Sequence, residues 1–483
     1  MPQAAAKPEP AAEGLKPGLG LFDSVTLVAG SMIGSGIFIV SADIVRQVGS
    51  PAALLAIWIV SGLMTIAGAL AYGELAAMMP QAGGQYVYLR EAYGGLWAFL
   101  FGWTLLLVIQ TGTIAAVAVA FARFLGVMWP VLGSSVFLGV GSFGLSGERI
   151  GAIFVIVVLT ITNLRGLDMG RMVQNSFTTA KILSLLLIVA VGCVLFPNSA
   201  ALHANFGSLH SFFSQNVPAS GFAAVFGAAM VGGLFSADAW ASVTFAASEI
   251  RNPRRDLPLA LAFGTGVVIL LYVLTNVAYL FELPAAGVAG AGDVFARGIA
   301  HATSDRVASA AMQVVWGSAG ASLTAVLVMI SGFGCANGLI LTGARVIYAM
   351  AEDGVFFSAA RRLNVASVPA FALVIQGIWA AVLAISGTYS DLLDYVIFAQ
   401  LFFYVLTVGV VFLLRRTRPE VPRPYRAWGY PIVPGAYMIA AAALMIDLLI
   451  MKPRFTWPGV IIVVTGVPIY FLMVQARARA KSG

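Results

Sequence analysis

Lys181 and Asp238 are charged side chains inside apolar runs of this 483-residue chain, and both are candidates for chemistry. Lys181 falls in the run from Thr178 to Leu185, and Asp238 falls between Phe235 and Trp240. An ionised group in membrane hydrocarbon costs at least ~2.5 to 3.5 kcal/mol on insertion scales, so each one needs a partner or a function. A buried amine and a buried carboxyl can bind an opposite charge or exchange a proton.

Two apolar runs are interrupted by small or polar residues, at Gly34-Ser35-Gly36 and at Ser236-Ala237-Asp238. Each glycine costs roughly 1 kcal/mol of helix propensity relative to alanine. One interpretation is close helix packing through small residues. The other is unwound segments whose N–H groups face an anion and whose carbonyls face a cation. A zwitterion with a carboxylate and an ammonium group fits both kinds of end.

The elements that must position these residues are membrane helices. Hydrophobic residues make up 60% of the chain and charged residues 10%, against about 45 to 50% and about 25% in soluble domains. The apolar runs lack the alternation of barrel strands, so we predict an all-α integral membrane protein. The twelve predicted transmembrane helices lie near residues 22–46, 52–79, 94–129, 149–163, 172–196, 219–250, 257–281, 311–351, 368–386, 391–414, 431–451 and 457–476.

Other functional classes find little support in the sequence. Cys193 and Cys335 lie in apolar runs, where a thiol behaves as a small hydrophobe, and no histidine clusters with acids or cysteines. We therefore expect no metal and no cofactor. The net charge of +7 comes from basic residues in short loops, which indicates membrane topology rather than nucleic-acid binding. No phosphate-binding loop is present, so ATP drive is not expected; a channel and a membrane enzyme remain rival classes.

The charge distribution also predicts the topology. Basic clusters such as Arg251/Arg254/Arg255 and Arg361/Arg362 fall on the side of the N-terminus, so we expect both termini to be cytoplasmic. Residues 1–20 are expected to form a disordered cytoplasmic tail. Because five is an odd number, two successive blocks of five helices have opposite orientations and can form an inverted repeat. The expected blocks are residues 21–200 and 201–415, followed by two helices and a cytoplasmic C-terminus in residues 416–483.

Several segments resemble one transporter family. Gly30 to Phe38 is similar to the helix 1 signature of the amino acid/polyamine/organocation superfamily, particularly its L-type amino acid transporter branch. Matching segments follow in order and at family spacing from Phe22 to about residue 415, namely Tyr72 to Leu75, Met79 to Tyr86, Asn252 to Pro258, Asn337-Gly338 and Gly343 to Tyr348.

The resemblance implies a LeuT-type fold, with a 5+5 inverted repeat, broken helices 1 and 6 and two peripheral helices. It also implies secondary active transport of amino acids by alternating access, more readily as exchange than as the alternative, proton-coupled symport of amino acids or amines. Trp240 matches a tryptophan that forms a gate or wall in the family, although plain packing is an open alternative. The residues expected to hold the substrate are Ile33, Gly34, Ser35, Gly36 and Ile37 in helix 1, and Phe235, Ser236, Ala237, Asp238 and Trp240 in helix 6.

In this family, Lys181 matches a helix 5 lysine that occupies the place of a sodium ion and ties helix 5 to helices 1 and 8. Sodium-independent transport follows from that role, and proton coupling through Lys181 is the alternative. On helix 8 this chain has Cys335 where the family carries a hydroxyl. Tyr272 and Asn276 are one helical turn apart and could face the site or make ordinary interhelical hydrogen bonds.

Asp238 departs from the family pattern and has three open interpretations. It could pair with a cationic side chain or amine, change its protonation during transport, or cap the second half of helix 6. Glu74, near the end of helix 2, is expected to pair with loop arginines rather than to couple transport.

The resemblance bears on partners and location as well. Animal relatives can bind a single-pass partner through a cysteine in the loop between helices 3 and 4, and residues 130–148 contain no cysteine. We therefore expect no disulfide-linked heavy subunit, a chain that works alone as a monomer in the lipid bilayer, and location in a bacterial cytoplasmic membrane.

Overall fold

The computed structural model describes residues 15–129, 136–140, 143–213, 219–386 and 389–482. Long apolar segments form helices because lipid supplies no hydrogen-bond partner for an open backbone. The α-helices are α1 (Leu21–Met32), α2 (Gly36–Val48), α3 (Pro51–Met78), α4 (Gln85–Tyr93), α5 (Gly95–Thr104), α6 (Gln110–Met128), α7 (Gly147–Leu164), α8 (Leu167–Ala190), α9 (Ser199–Phe206), α10 (Leu209–Phe213), α11 (Ala219–Ser236), α12 (Pro253–Glu282), α13 (Val294–Arg297), α14 (Val307–Glu352), α15 (Ala370–Ser386), α16 (Tyr389–Thr417), α17 (Ile432–Met451) and α18 (Pro453–Ser482).

Shorter elements complete the chain. Single π-helical turns follow α5 and α8, at Leu105–Ile109 and Val191–Leu195, and a 3-10 helix at Trp240–Glu249 follows α11. Two further 3-10 turns lie at Thr303–Asp305 and Ser358–Arg361. The antiparallel strands β1 (Val136–Val140) and β2 (Phe143–Ser146) form a hairpin between α6 and α7, which the sequence did not predict.

Twelve apolar helical segments occupy the predicted positions in the described chain. Eleven of them are long and apolar enough to cross a membrane. The remaining segment is α15, with 17 residues, at the ninth predicted position. The all-α membrane architecture is therefore confirmed.

The spans divide into an inner set and an outer set. Of the most apolar window, 94% is buried in Leu21–Val48, 89% in Gly95–Met128 and 72% in Val307–Glu352. The corresponding share is 28% in α17 and only 11% in the last span. The first, third and eighth spans therefore form the core, and the two C-terminal helices are peripheral, as the family resemblance implied.

The predicted disordered tail needs a correction. Residues 1–14 lie outside the described residues, but the chain just before α1 is ordered. The N–H groups of Gly18 and Leu19 donate to the Glu249 carbonyl at 2.8 and 2.9 Å, and the Arg251 N–H donates to the Leu19 carbonyl at 2.9 Å. Leu19 is buried, so hydrogen bonds and apolar burial both hold this segment in place. Composition alone did not reveal these pairings because their partners lie more than 200 residues away in sequence.

The predicted block boundaries fall inside helices rather than in loops. The boundary at 200/201 lies in α9, and the boundary at 415/416 lies near the end of α16. Helix α9 is a separate short helix after the fifth span, and α16 extends to Thr417, past the end of the tenth predicted span.

Glu74, near the end of α3, is an acid held in place by basic groups. Its carboxylate accepts hydrogen bonds from Arg415 at 3.0 and 2.6 Å and from the Ala427 N–H at 2.7 Å, and it lies 3.3 Å from Arg423. Glu74 is 1% exposed, so its charge needs these partners. The expected structural pairing is confirmed.

Candidate functional site

The first span is broken between α1 and α2. Ile33, Gly34 and Ser35 lie outside both helices, and the Gly34 N–H donates to the Met32 carbonyl at 2.8 Å. The non-helical stretch begins one residue before the predicted Gly34-Ser35-Gly36 interruption. Such a break frees the last carbonyls of α1 and the first N–H groups of α2. This segment therefore offers both hydrogen-bond acceptors and donors at a buried position.

Lys181 of α8 lies against the carbonyl end of this break. Its ammonium group donates to the Gly30 carbonyl at 2.6 Å and to the Ile33 carbonyl at 2.8 Å. The side chain is fully buried, and within the described residues no carboxylate forms an ion pair with it. The carbonyl dipoles of the broken helix thus act as the counter-charge for Lys181.

Helix α14 contacts the same break through two side chains. The Ser331 hydroxyl lies 3.1 Å from the Ile33 carbonyl and 3.0 Å from the Gly34 carbonyl, and the Cys335 thiol lies 2.9 Å from the Ser31 carbonyl. Cys335 therefore does reach helix 1. Ser331, one turn earlier, supplies the hydroxyl, and sequence reasoning missed it.

Tyr272 of α12 links the two breaks. Its hydroxyl lies 2.9 Å from the Met32 carbonyl and 3.0 Å from the Ser236 carbonyl. Asn276, one turn later, donates to the Tyr272 carbonyl at 2.8 Å and accepts from the Ser41 hydroxyl at 2.6 Å. Tyr272 thus contacts both breaks, whereas Asn276 makes an interhelical contact with α2.

The sixth span is broken after Ser236. Ala237, Asp238 and Ala239 separate α11 from the 3-10 helix that starts at Trp240, and Ala239 adopts a left-handed backbone with φ of 66°. Such a conformation is uncommon for a residue with a side chain, so the turn is sharp. Phe235, the residue before Ser236, is in the last turn of α11 and is 6% exposed.

The two breaks touch each other. A Cβ atom added at Gly36 would lie 2.1 Å from the Ser236 hydroxyl, 2.8 Å from its Cβ and 3.0 Å from its Cα. Only glycine fits at Gly36 with this spacing. The next residue, Ile37, is fully buried in the first turn of α2. The predicted residues of helix 1 and helix 6 are thus brought together at one place.

Asp238 points toward α16. Its carboxylate accepts a hydrogen bond from the Tyr404 hydroxyl at 2.7 Å. This neutral hydroxyl is its side-chain partner among the described residues. The 3-10 helix that starts at Trp240 has no side-chain cap hydrogen bond.

Trp240 is packed in an aromatic cluster rather than standing alone. Its ring stacks on Tyr404 with centroids 4.9 Å apart and meets Tyr72 edge to face at 4.7 Å. Tyr72 in turn contacts Tyr404 at 5.7 Å. The cluster forms a wall beside Asp238 and fixes the start of the second half of helix 6.

The break residues are buried, and an ion pair lies toward each end of the bundle. The residues of the two breaks, 33–36 and 235–240, are all buried. At the end that carries the N-terminal segment, Arg345 and Glu249 form a buried pair with two contacts of 2.9 Å. At the opposite end, Arg46 contacts Asp305 at 2.6 Å and the Ala300 carbonyl at 2.9 Å.

The arrangement is suited to binding and release rather than to bond chemistry. It offers free N–H groups at two helix starts, a fixed ammonium and one carboxylate. Among the described residues, no group of three or more His, Cys, Asp or Glu side chains is placed to hold a metal ion.

Comparison with known proteins gives the chain a family. The model of the amino acid permease family matches residues 19–474. The b(0,+)-type amino acid transporter 1 of Homo sapiens is 29% identical over 474 residues, covering 97% of this chain and 90% of that protein. The Asc-type amino acid transporter 1 of Mus musculus is 29% identical over 477 residues, with 97% and 83% covered.

A third relative agrees. The large neutral amino acids transporter small subunit 2 of Homo sapiens is 29% identical over 473 residues, covering 97% of this chain and 82% of that protein. The family match spans both broken helices and every residue of the site. This multi-pass membrane protein therefore belongs to the amino acid permease family, whose members are transporters and not enzymes.

Proposed function

We propose that this protein is a sodium-independent amino acid exchanger that works by alternating access between two inverted five-helix blocks. The observation that carries the proposal is the position of Lys181. Its ammonium lies 2.6 and 2.8 Å from two carbonyls of broken helix 1. A fixed ammonium group there supplies the positive charge that a bound cation supplies in ion-coupled transporters. The names of the relatives, which are all amino acid transporters, support the same class of cargo.

The free backbone groups favour a zwitterionic substrate. The first N–H groups of α2 and of the Trp240–Glu249 helix have no partner within their own helices, and each helix start carries partial positive charge. We infer that the substrate α-carboxylate binds between these two starts. Ile33, Gly34, Ser35, Gly36 and Ile37 are the proposed contacts from helix 1.

The substrate ammonium group needs acceptors, and helix 1 has few left. Every carbonyl from Gly30 to Gly34 already accepts a side-chain donor. We therefore place the ammonium nearer helix 6, at the Ala237 carbonyl, because the Phe235 and Ser236 carbonyls also accept donors. The Asp238 carboxylate then remains available for a charge on the substrate side chain. Trp240 would form the wall of this end through its packing with Tyr404.

Asp238 also bears on the range of substrates. One of its oxygens accepts from Tyr404, which is neutral, so no fixed cation offsets the carboxylate in the contacts described. A cationic side chain or amine on the substrate would supply that charge. We propose that the protein accepts amino acids with a basic side chain in addition to neutral ones.

The topology and setting complete the proposal. We propose blocks of residues 21–200 and 201–415, with residues 416–483 peripheral and both termini in the cytoplasm. The two cysteines, Cys193 and Cys335, lie in or beside spanning helices, so we propose a monomer without a disulfide-linked heavy subunit. The proposed location is a bacterial cytoplasmic membrane.

Uptake into proteoliposomes tests the proposal. Labelled amino acids are offered with and without internal unlabelled amino acid, with sodium or choline outside, and with or without a pH gradient. We expect saturable uptake that requires internal substrate and is unchanged in choline. Uptake that collapses without sodium would reject the role of Lys181, and uptake that is driven by a pH gradient alone would favour proton symport.

A further inference from the structure

A second polar cavity lies away from the two breaks. It has a volume of ≈ 480 Å³ and is formed by the end of α6, the segment 294–306 and the first third of α14. This volume is within the range of small-molecule sites. No residue of either break lines it. The cavity lies at the end of the bundle opposite the N-terminal segment.

Two arginines line this cavity without a balancing acid. Arg306 donates to the Thr303 carbonyl at 3.3 Å, and Arg297 contacts the Thr303 hydroxyl and, at 3.5 Å, the Asp293 carbonyl. Within the described ranges, neither arginine forms an ion pair. Nearby Arg46 shows the contrast, because it pairs with Asp305 at 2.6 Å. The cavity therefore carries excess positive charge.

Two further observations point to an anionic ligand. Burial and the charge of neighbouring Arg123 lower the pKa of Arg306, so an anionic ligand would stabilise its charged form. Ser309 lines the same cavity, is 6% exposed, and its hydroxyl has no hydrogen-bond partner among the described residues. A buried hydroxyl without a partner costs free energy that a bound oxygen atom would restore.

Exposed apolar residues beside the cavity indicate its position relative to the membrane. Two exposed tryptophans lie close in sequence to the lining residues: Trp129 is two positions after Val127, and Trp316 is two positions before Ser318. Their exposed fractions are 53% and 38%. Met128 and Leu323, also beside the lining, are 41% and 38% exposed. Tryptophan is enriched where hydrocarbon meets headgroups. These exposed apolar residues beside the lining are typical of a surface that meets lipid near the headgroups.

We propose that this cavity binds the phosphate of an anionic phospholipid headgroup in the leaflet opposite the N-terminal segment. Arg297 and Arg306 hold the phosphate oxygens, Ser309 donates to one of them, and the acyl chains run past Trp316. Arginine suits this ligand because its planar fork matches phosphate oxygens. A free phosphate ion shares the chemistry but would gain nothing from the apolar rim.

The bound lipid would act on helix α14. This helix is broken at Trp316 and Gly317, where φ of Gly317 is 61°. Residues on both sides of the break line the cavity, among them Ser309 and Ser318. The same helix carries Ser331, which holds the broken helix 1. A bound headgroup would therefore contact α14 on both sides of its break.

The test uses the full-length protein, delipidated in detergent and titrated with phosphatidylglycerol, phosphatidylcholine or inorganic phosphate, with bound ligand counted by native mass spectrometry. The variants are Arg306→Gln, Arg297→Gln/Arg306→Gln and Ser309→Ala. Arg416→Gln is the matched control, because Arg416 is exposed at the other end of the bundle. The unfolding temperature without lipid shows which variants are folded.

We expect one tightly bound phosphatidylglycerol in the wild type and in the control. Each lost arginine weakens binding about fivefold, so the double variant binds about 25-fold more weakly. Equal affinity of the folded double variant and the wild type would overturn the proposal. So would inorganic phosphate binding as tightly as phosphatidylglycerol. If the double variant does not fold, the single variants Arg306→Gln and Ser309→Ala decide by the same comparison.

Discussion

Replacing Gly36 by alanine would separate the two broken helices. The added methyl group would lie 2.8 Å from the Cβ and 3.0 Å from the Cα of Ser236, and neither atom can rotate away. The two segments must therefore move apart by roughly half an ångström to reach an ordinary contact, and overpacking of this kind costs about 1 to 3 kcal/mol. Because the proposed carboxylate site lies between them, we also expect at least a tenfold loss of exchange.

Gly266→Ala is the matched control, because an added Cβ there meets nothing within 4 Å. Its helix α12 should be unchanged or stabilised by up to about 1 kcal/mol. Thermal unfolding of the purified variants and counterflow in proteoliposomes are the two assays. Adding Ser236→Gly to Gly36→Ala removes the nearest two atoms and should recover part of the lost activity. If Gly36→Ala unfolds at the wild-type temperature and exchanges at the wild-type rate, the two breaks are not in contact.

Three further changes test other contacts. Lys181→Met should lower exchange at least tenfold, with no recovery in added sodium, because two carbonyls lose a charged donor; sodium-driven recovery would show that a cation site forms instead. Asp238→Asn should raise KM for basic amino acids more than for neutral ones, and an unchanged substrate range and pH profile would leave only a capping role. Glu249→Gln should cost about 3 to 5 kcal/mol of stability because Arg345 is left buried and unpaired; Arg418→Gln, which breaks an exposed pair, should cost at most about 1 kcal/mol.

The fold was largely predictable because membrane helices leave a strong local signal. Apolar runs of spanning length, punctuated by short basic loops, placed all twelve helical segments. The two breaks were predictable for the same reason, since glycine and polar residues at mid-membrane depth stand out from their surroundings. Their true limits, Ile33 to Ser35 and Ala237 to Ala239, differ from the predicted triplets by one residue each.

The partners of the site residues were harder to predict because they are distant in sequence. Tyr404 lies 166 residues from Asp238, and a search for partners at helical spacing could not find it. Ser331 is one of several small residues in a 46-residue helix, and nothing local distinguishes it. The hairpin of β1 and β2 was missed because a short loop between spans carries no periodic apolar pattern.

Competition between modified amino acids would test the central claim most directly, which is that two breaks hold the carboxylate and the ammonium of one substrate. Counterflow of a labelled amino acid is measured against the same amino acid, its methyl ester and its N-acetyl derivative. The account predicts that only the unmodified amino acid competes, because each derivative removes one of the two charges. Competition by the ester or the N-acetyl derivative at the same concentration as the free amino acid would contradict it.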